Sequence, residues 1–419
     1  MVRLYSYWRF VGILALAGVV AITSASPASA ARRHRHLRHH SVRLAGPAYH
    51  AVLLEDADSG SVLYAQNSEI EWPPASMAKM MLLLVAEDQI RAGRFSPNDP
   101  VRISPLAAST RGSHLGMRAG ETYPLGELMK AALIRSANDA AVAVAEKVAG
   151  SVEGCVRMMN EKAQALGMNH TYYGTVNGLP PTPDHDVDRT TALDLAILAR
   201  AIIHNTDLLE WSRLETAPFD GGERMLRNTN HLVGHFDGCD GLKTGFTMQA
   251  GFNLTATAKR GDLRLVSVVL GAPSNPQRFA QTARLLKWGF DNFAKVQVLR
   301  RGEPLPVHVQ VTSGPLIQPV SESDIALVMR KDQASGVKLE YSVPPVINGP
   351  VAYGAPLGQV IVLDGGEVMT KVDAICPVTI GEAPSQIDSV TVNVANGHAP
   401  IMPAAPALGV SLNPAQENK

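Results

Sequence analysis

The stretch "WPPASMAKMMLLLVAEDQI" (residues 72–90) sets two prolines ahead of Ser76, places Lys79 three residues later, and continues into a long apolar run. Proline just before a helix start is favoured, because its fixed φ suits the first turn and its missing N–H is not needed there. The apolar residues Met77, Met80, Met81, Leu82, Leu83, Leu84 and Val85 surround the helix axis, which predicts a helix buried on nearly every side. A lysine in such a helix is costly unless it has a purpose. Ser76 and Lys79, three apart, share one face and lie within reach of each other. Desolvation pushes the amine toward its neutral form, and a neutral amine can take a serine proton and so activate the oxygen as a nucleophile. The free backbone amide of Ser76 at the helix start can face a developing oxyanion.

Around this segment the chain reads as α/β. "AYHAVLLEDADSGSVLYAQN" (48–67) predicts a β-hairpin turning at Asp58-Ser59-Gly60. Helical patterns recur at "GELMKAALIRSANDAAVAVAEKVAG", "TTALDLAILARAII" and "RFAQTARLLKWGFDNF", and strands at "FNLTATAKRG" and "LRLVSVVLGA". Strands at both ends of the region with helices between them predict one mainly antiparallel sheet flanked by helices, over residues 48–294. From 295 to 381 the texture changes to short alternating runs split by Gly and Pro, which predicts a small all-β sandwich domain.

The ends read differently. Arg3 and Arg9, the apolar run 10–23 and Ala28-Ser29-Ala30 predict an export signal over residues 1–30, with the mature chain outside the cytoplasm, in the periplasm or cell-envelope space. Residues 31–47 form a basic Arg/His-rich arm, expected to be a solvated spacer, with attachment to anionic lipid or wall polymer, or a nickel- or zinc-binding His cluster, as the alternatives; 382–419 form a Pro/Ala/Asn-rich tail without an apolar face. Seven of the 38 basic residues lie in the first 43, which hold no acid, so the rest of the chain is net acidic and argues against nucleic-acid binding. Cys155, Cys239 and Cys376 are too few for a disulfide scaffold; export permits one bridge, with the pairing open.

Two further fragments complete a constellation. "RSANDAA" (135–141) puts Ser136 and Asn138 where one helical pattern pauses and the next begins, and "GLKTGFT" (241–247) puts Lys243, Thr244 and Gly245 ahead of an apolar β run. A second ammonium at Lys243 would depress the pKa of Lys79 further by like-charge repulsion. Ser136 can relay a proton to a leaving group, and Asn138 can orient a substrate amide. Lys243 and Thr244 suit a terminal carboxylate, and Gly245, lacking a Cβ, would let a substrate backbone lie close to the strand. Ser-x-x-Lys, Ser-x-Asn and Lys-Thr-Gly in this order match the penicillin-recognising serine enzymes.

The surrounding text resembles the D-alanyl-D-alanine carboxypeptidases, the low-molecular-mass penicillin-binding proteins. "PPASMAKMM", "SANDAAVAVAE", "LGMNHTYYGTVNGLP", "LLKWGFDNF" and the whole of 240–272 carry the resemblance, which spans about residues 48–381. It implies that Ser76 is the acylated nucleophile and Lys79 its base, with Ser136 and Asn138 forming the second wall. It implies that Lys243 and Thr244 bind substrate, that the amides of Ser76 and Phe246 form the oxyanion hole, and that Arg278 helps hold a carboxylate, a surface role for that arginine being the alternative. The implied activity is removal of the terminal D-alanine from peptidoglycan pentapeptide stems, with β-lactams as inhibitors and no cofactor or metal. Two departures stand out. The last 38 residues hold one basic residue, Lys419, and no aromatic, unlike the basic amphipathic helix that anchors such enzymes to the membrane. In "LRNTNHLVG", Thr229 stands where some relatives carry arginine.

Rival readings are a D,D-endopeptidase on crosslinks, which uses the same residues, a β-lactamase, and a non-catalytic penicillin-binding scaffold. Against the β-lactamase stand Ala137 in the middle of Ser-x-Asn and the lack of a Glu-x-x-x-Asn run after Asn138, so slow release of a penicilloyl group is expected. A scaffold would be expected to lose the serine or a lysine, and all three are present. A zinc peptidase would need a glutamate that the His231/His235 pair lacks, and Asp184, His185 and Asp186 read as a polar turn.

Overall fold

The computed structural model describes residues 49–180, 187–332 and 336–381. The predicted export signal, basic arm and C-terminal tail, and the Asp184-His185-Asp186 turn, lie outside the described residues. The chain divides into two compact units, one running to Gln297 and taking in the chain again from Ala326, the other running from Val298 to Ile325 and again from Gly336.

The first unit is built on a five-stranded antiparallel sheet. Its strands are β1 (Ala51–Asp56), β2 (Val62–Gln66), β3 (Cys239–Thr247), β4 (Gly251–Arg260) and β5 (Leu263–Ala272), in the spatial order β2-β1-β5-β4-β3. Chain entry and chain exit thus meet at the β1–β5 pairing, where Leu53 faces Val268 across the ladder. All six residues of β1 are buried, because both faces of the sheet are covered, which explains the continuous apolar run where a half-exposed strand would alternate.

On one face pack α1 (Ala78–Arg91), α2 (Leu125–Ile134), α3 (Asn138–Ala149), α4 (Val152–Leu166) and α5 (Ala192–Asn205), whose core takes in Leu53, Val266 and Val268 from the sheet. On the other lies α6 (Asn275–Asn292), whose Leu285, Leu286 and Phe290 pack on Leu54, Leu254 and Val269. Helix α1 is the axis of the larger layer: Ala78 to Ala86 are all buried, Lys79 included. Each large apolar side chain buried there contributes about 1.5–3 kcal/mol, so several together offset one desolvated amine. The run that the sequence placed with the trailing β region at 325–330 pairs instead with Phe293–Leu299, and from Ala326 it belongs to the first unit. Its Val328 packs against the α6 side of that core.

The second unit holds a four-stranded antiparallel sheet, in which Pro356–Asp364 pairs with both Val337–Ser342 and Glu367–Ile375. A three-stranded sheet accompanies it, and Val311, Ile317, Val351, Leu357 and Cys376 share one small core. The three cysteines are all free and buried, in α4, in β3 and in this second core, so the bridge that export would permit is not formed.

One buried charge stands apart from the rest. Glu55 on β1 is 1% exposed, its Oε1 has no hydrogen-bond partner, and burial pushes its carboxyl up to about 8 against the pull of Arg200. A group whose folded value is raised stabilises the fold fully below its unfolded value, and that contribution is lost as pH rises through the folded value. Glu55→Gln should therefore gain stability relative to the parent between pH 5 and pH 8.5, by about 4 kcal/mol. Urea unfolding at the two pH values measures it, and an equal difference at both would show that Glu55 does not titrate as described.

Candidate active site

Ser76 sits in a single 3-10 turn, Ala75–Met77, that feeds into α1, so it precedes the helix and Lys79 is the helix's second residue. The turn is held from several sides. Asn253 of β4 donates through Nδ2 to the carbonyls of Pro73 (2.9 Å) and Pro74 (3.3 Å) and accepts from Gly271 N (2.8 Å). Trp72 exchanges backbone hydrogen bonds with Thr190 (2.7 and 3.0 Å). Ala75 adopts a left-handed φ of 51°, which makes the chain turn sharply just before the serine.

Lys79 is fully buried, and its Nζ donates to Ser76 Oγ at 2.9 Å and to the backbone carbonyl of Asn177 at 2.9 Å. Burial pushes its ammonium down to about 7, while the carboxylates of Asp188 and Asp139 pull it upward. At neutral pH a substantial fraction of the amine is therefore unprotonated. Lys243, on β3, is equally buried, donates to the carbonyl of Thr244 (3.0 Å), and is held well below its ordinary value by burial and by the charges of Lys79 and Arg278. The like-charge coupling falls on Lys243 and not, as the sequence led us to expect, on Lys79: burial alone lowers Lys79, and two carboxylates oppose it.

Ser136 lies between α2 and α3 with a left-handed φ of 63°, and is nearly buried. Its hydroxyl makes no hydrogen bond to another described residue. Asn138 caps this region: its Nδ2 donates to the Arg111 carbonyl (2.6 Å), its backbone N–H to Ser113 (2.7 Å), and its Oδ1 is buried without a partner. The β3 wall is tied to this connection through Thr229. The Thr244 hydroxyl donates to Thr229 Oγ1 (2.8 Å), and the Thr229 backbone N–H donates to the Ile134 carbonyl at the end of α2 (3.1 Å).

Two expectations change. A Cβ on Gly245 would stand 2.6 Å from the Pro74 carbonyl and 3.3 Å from the Ala75 Cβ. Gly245 shares a strand face with Lys243, so the space left by its missing side chain is taken by the turn carrying Ser76 instead of lying open to a substrate backbone. Arg278 is not a surface residue: it is 7% exposed, its Nη1 donates to the carbonyls of Gly245 (3.1 Å) and Asn253 (3.3 Å), and its guanidinium lies over the rings of Phe252 and Phe279. Phe246, in contrast, is half exposed and stacks on Phe252 with centroids 4.3 Å apart. Of the histidines weighed as a zinc pair, His231 stacks on Phe279, and His235 Nδ1 is 3.1 Å from the carbonyl of Val233.

The sequence reading missed Asn177, Asp188, Asp139 and Asn253. Asn253 could have been noticed as the one amide in an apolar strand, and Asp139 as an acid inside a buried helix. Asn177 acts through its backbone carbonyl and carries no side-chain signal.

The family model described as Peptidase_S11, D-alanyl-D-alanine carboxypeptidase, matches residues 41–274. The D-alanyl-D-alanine carboxypeptidase DacF of Bacillus subtilis is 32% identical over 361 residues, covering 85% of this chain and 90% of that protein. Among solved structures, penicillin binding protein 5 from Haemophilus influenzae superposes with a TM-score of 0.70 at 28% identity, over 82% of this chain and 100% of that one. Penicillin-Binding Protein D2 from Listeria monocytogenes, in its ampicillin-bound form, gives a TM-score of 0.54 at 30% identity over 58% of this chain and 98% of that one.

If the glycine at 245 makes room for the turn carrying Ser76, Gly245→Ala must push Pro74 and Ser76 away from β3. Displacement of about 1 Å at a reacting group costs on the order of 10²-fold in rate. Acylation by a fluorescent penicillin should slow by that order with the melting temperature lowered only modestly; labelling at the parent rate would mean the turn has slack.

Proposed function

The chain belongs to the D-alanyl-D-alanine carboxypeptidase family, peptidase S11, and is a serine-type D-Ala-D-Ala carboxypeptidase; from that premise we propose that Ser76 is the nucleophile and Lys79 its general base. The observation that carries this reading is the 2.9 Å contact between Lys79 Nζ and Ser76 Oγ, made by an amine brought to about 7 by burial. In the neutral amine one N–H is taken by the Asn177 carbonyl, and the lone pair accepts the Ser76 proton.

The substrate is a peptidoglycan stem ending in D-Ala-D-Ala. The Ser76 oxygen attacks the carbonyl of the penultimate D-alanine as its proton passes to Lys79 Nζ. The amides of Ser76 and Phe246 stabilise the oxyanion. The C–N bond then breaks, and the leaving amine of D-alanine receives the proton through Ser136. Water hydrolyses the remaining ester and frees Ser76. Asn138, with its unpartnered Oδ1, takes an N–H of the substrate. Lys243 and Thr244 receive the terminal carboxylate, and Arg278 supports this from behind β3, raising the local positive potential without facing solvent. A β-lactam follows the same path to a penicilloyl ester that is released slowly. The reaction takes place outside the cytoplasm, in keeping with the signal read over residues 1–30.

Treatment with benzylpenicillin should add one penicilloyl group, located by mass spectrometry on the peptide bearing Ser76, and Ser76→Ala should carry none. D-alanine release from a D-Ala-D-Ala pentapeptide should persist in EDTA. Lys79→Met should lower the acylation rate by about 10²–10⁴-fold. Since the base must be unprotonated, kcat/KM should fall as pH drops through about 7. An adduct elsewhere, or EDTA-sensitive release, would overturn the assignment.

A further inference from the structure

Asp188 is an acid 5% exposed, pushed up to about 6 by burial against its hydrogen bonds and Lys79, and unused in this scheme. Its Oδ1 accepts from the backbone N–H groups of Gly174 (2.7 Å) and Thr175 (2.9 Å), and its Oδ2 accepts from the Thr175 hydroxyl (2.8 Å). The Thr175 oxygen in turn accepts from the Gly178 N–H (2.8 Å). One carboxylate thus closes the loop 174–178. The loop carries the Asn177 carbonyl that meets Lys79, and at Gly178 it lies so close to the serine turn that a Cβ would fall 1.8 Å from the Ala75 carbonyl. The segment that bears Asp188 is itself anchored on both sides: Arg189 exchanges backbone hydrogen bonds with Tyr172, and Thr190 with Trp72, four residues before Ser76.

We infer that Asp188 is a positioning residue for the base: by folding the 174–178 loop it fixes the Asn177 carbonyl, which takes one N–H of Lys79 and so aims the remaining lone pair at Ser76 Oγ. This rests on Lys79 being the base. The geometry requires it in a simple way. A neutral primary amine turns freely about its Cε–Nζ bond, and only an acceptor set at a fixed angle selects the rotamer whose lone pair meets the hydroxyl. A carbonyl on a loop without an internal tie would wander, and the near-attack arrangement with it.

The carboxylate also acts at a distance. Lys79 is faced by Asp188, by Asp139 from α3 and by Lys243 from β3, with Arg278 beyond Lys243. Asp188 is faced by Lys79 and by the buried phenol of Tyr173, which also feels Asp194. Removing the negative charge at 188 leaves the Lys79 ammonium less supported, so it loses its proton at lower pH.

The test compares Asp188→Ala, Asp188→Asn and Thr175→Val with the parent, each titrated for active sites with benzylpenicillin. Loss of the loop tie in Asp188→Ala should slow acylation by about 10- to 100-fold, with KM for a D-Ala-D-Ala peptide within about threefold. Asp188→Asn keeps an acceptor for the two backbone N–H groups, so its rate should stay within about fivefold, while the acid limb of its pH profile moves down by about half a unit or more. Thr175→Val, which cuts the link to Gly178 but keeps the charge, should slow acylation with the limb unmoved. If Asp188→Ala does not fold, as judged by circular dichroism, the other two variants decide. A purely structural role would lower melting temperature and the active fraction but leave the rate per active site and the acid limb unchanged, and that result overturns the inference. It differs from failure of the parent reading, in which benzylpenicillin does not acylate Ser76 of the unmodified protein at all.

Discussion

The site depends on one amine held in a place where an ammonium is costly. Lys79 is set into a largely buried helix of the first unit and has no solvent exposure of its own. Two neutral contacts, the Ser76 hydroxyl and the Asn177 carbonyl, satisfy its hydrogen bonding without neutralising its charge. A direct carboxylate partner would have stabilised the ammonium and removed the base. Asp188 and Asp139 are near enough to be felt, yet both spend their oxygens elsewhere: on the Gly174 and Thr175 N–H groups and the Thr175 hydroxyl for the first, on the Leu115, Gly116 and Met117 N–H groups for the second. The balance leaves the proton affinity of Lys79 near neutrality, where proton transfer in both directions is open.

The second requirement is steric. Ser76 lies on a turn squeezed between two backbones, and each approach is made at a glycine. The Cβ position of Gly245 is occupied by the Pro74 carbonyl, and that of Gly178 by the Ala75 carbonyl. The β3 strand and the 174–178 loop thus grip the turn from two sides, and Asn253 holds its entry. The sharp backbone at Ala75 persists because these contacts over-determine it. A nucleophile on a freely moving loop would lose the alignment that the amine provides.

Basic side chains gather around β3 in the same economical way. Lys243 and Arg278 are both buried, and their partners are carbonyls, of Thr244 for one and of Gly245 and Asn253 for the other. Arg278 thus sets behind the strand a cation that no carboxylate among the described residues cancels, a field suited to an anionic ligand end. Thr229 contributes no charge; it joins Thr244 to the Ile134 carbonyl and so links two walls of the cleft.

The sequence alone determined the sheet-and-helix class and the burial of α1, and it singled out Ser76, Lys79, Ser136, Asn138, Lys243 and Thr244 as candidates, because these readings rest on local periodicity and on side chains whose chemistry is visible in the one-letter text. It left open what lies beside Gly245 and what covers Arg278, since both come from segments far away in the chain. Only the tertiary structure decided the rest: that a backbone carbonyl at Asn177 and a carboxylate at Asp188 act on Lys79 across about a hundred residues of chain. Such groups leave no pattern in sequence, for a main-chain oxygen is the same at every position and becomes specific only where folding puts it.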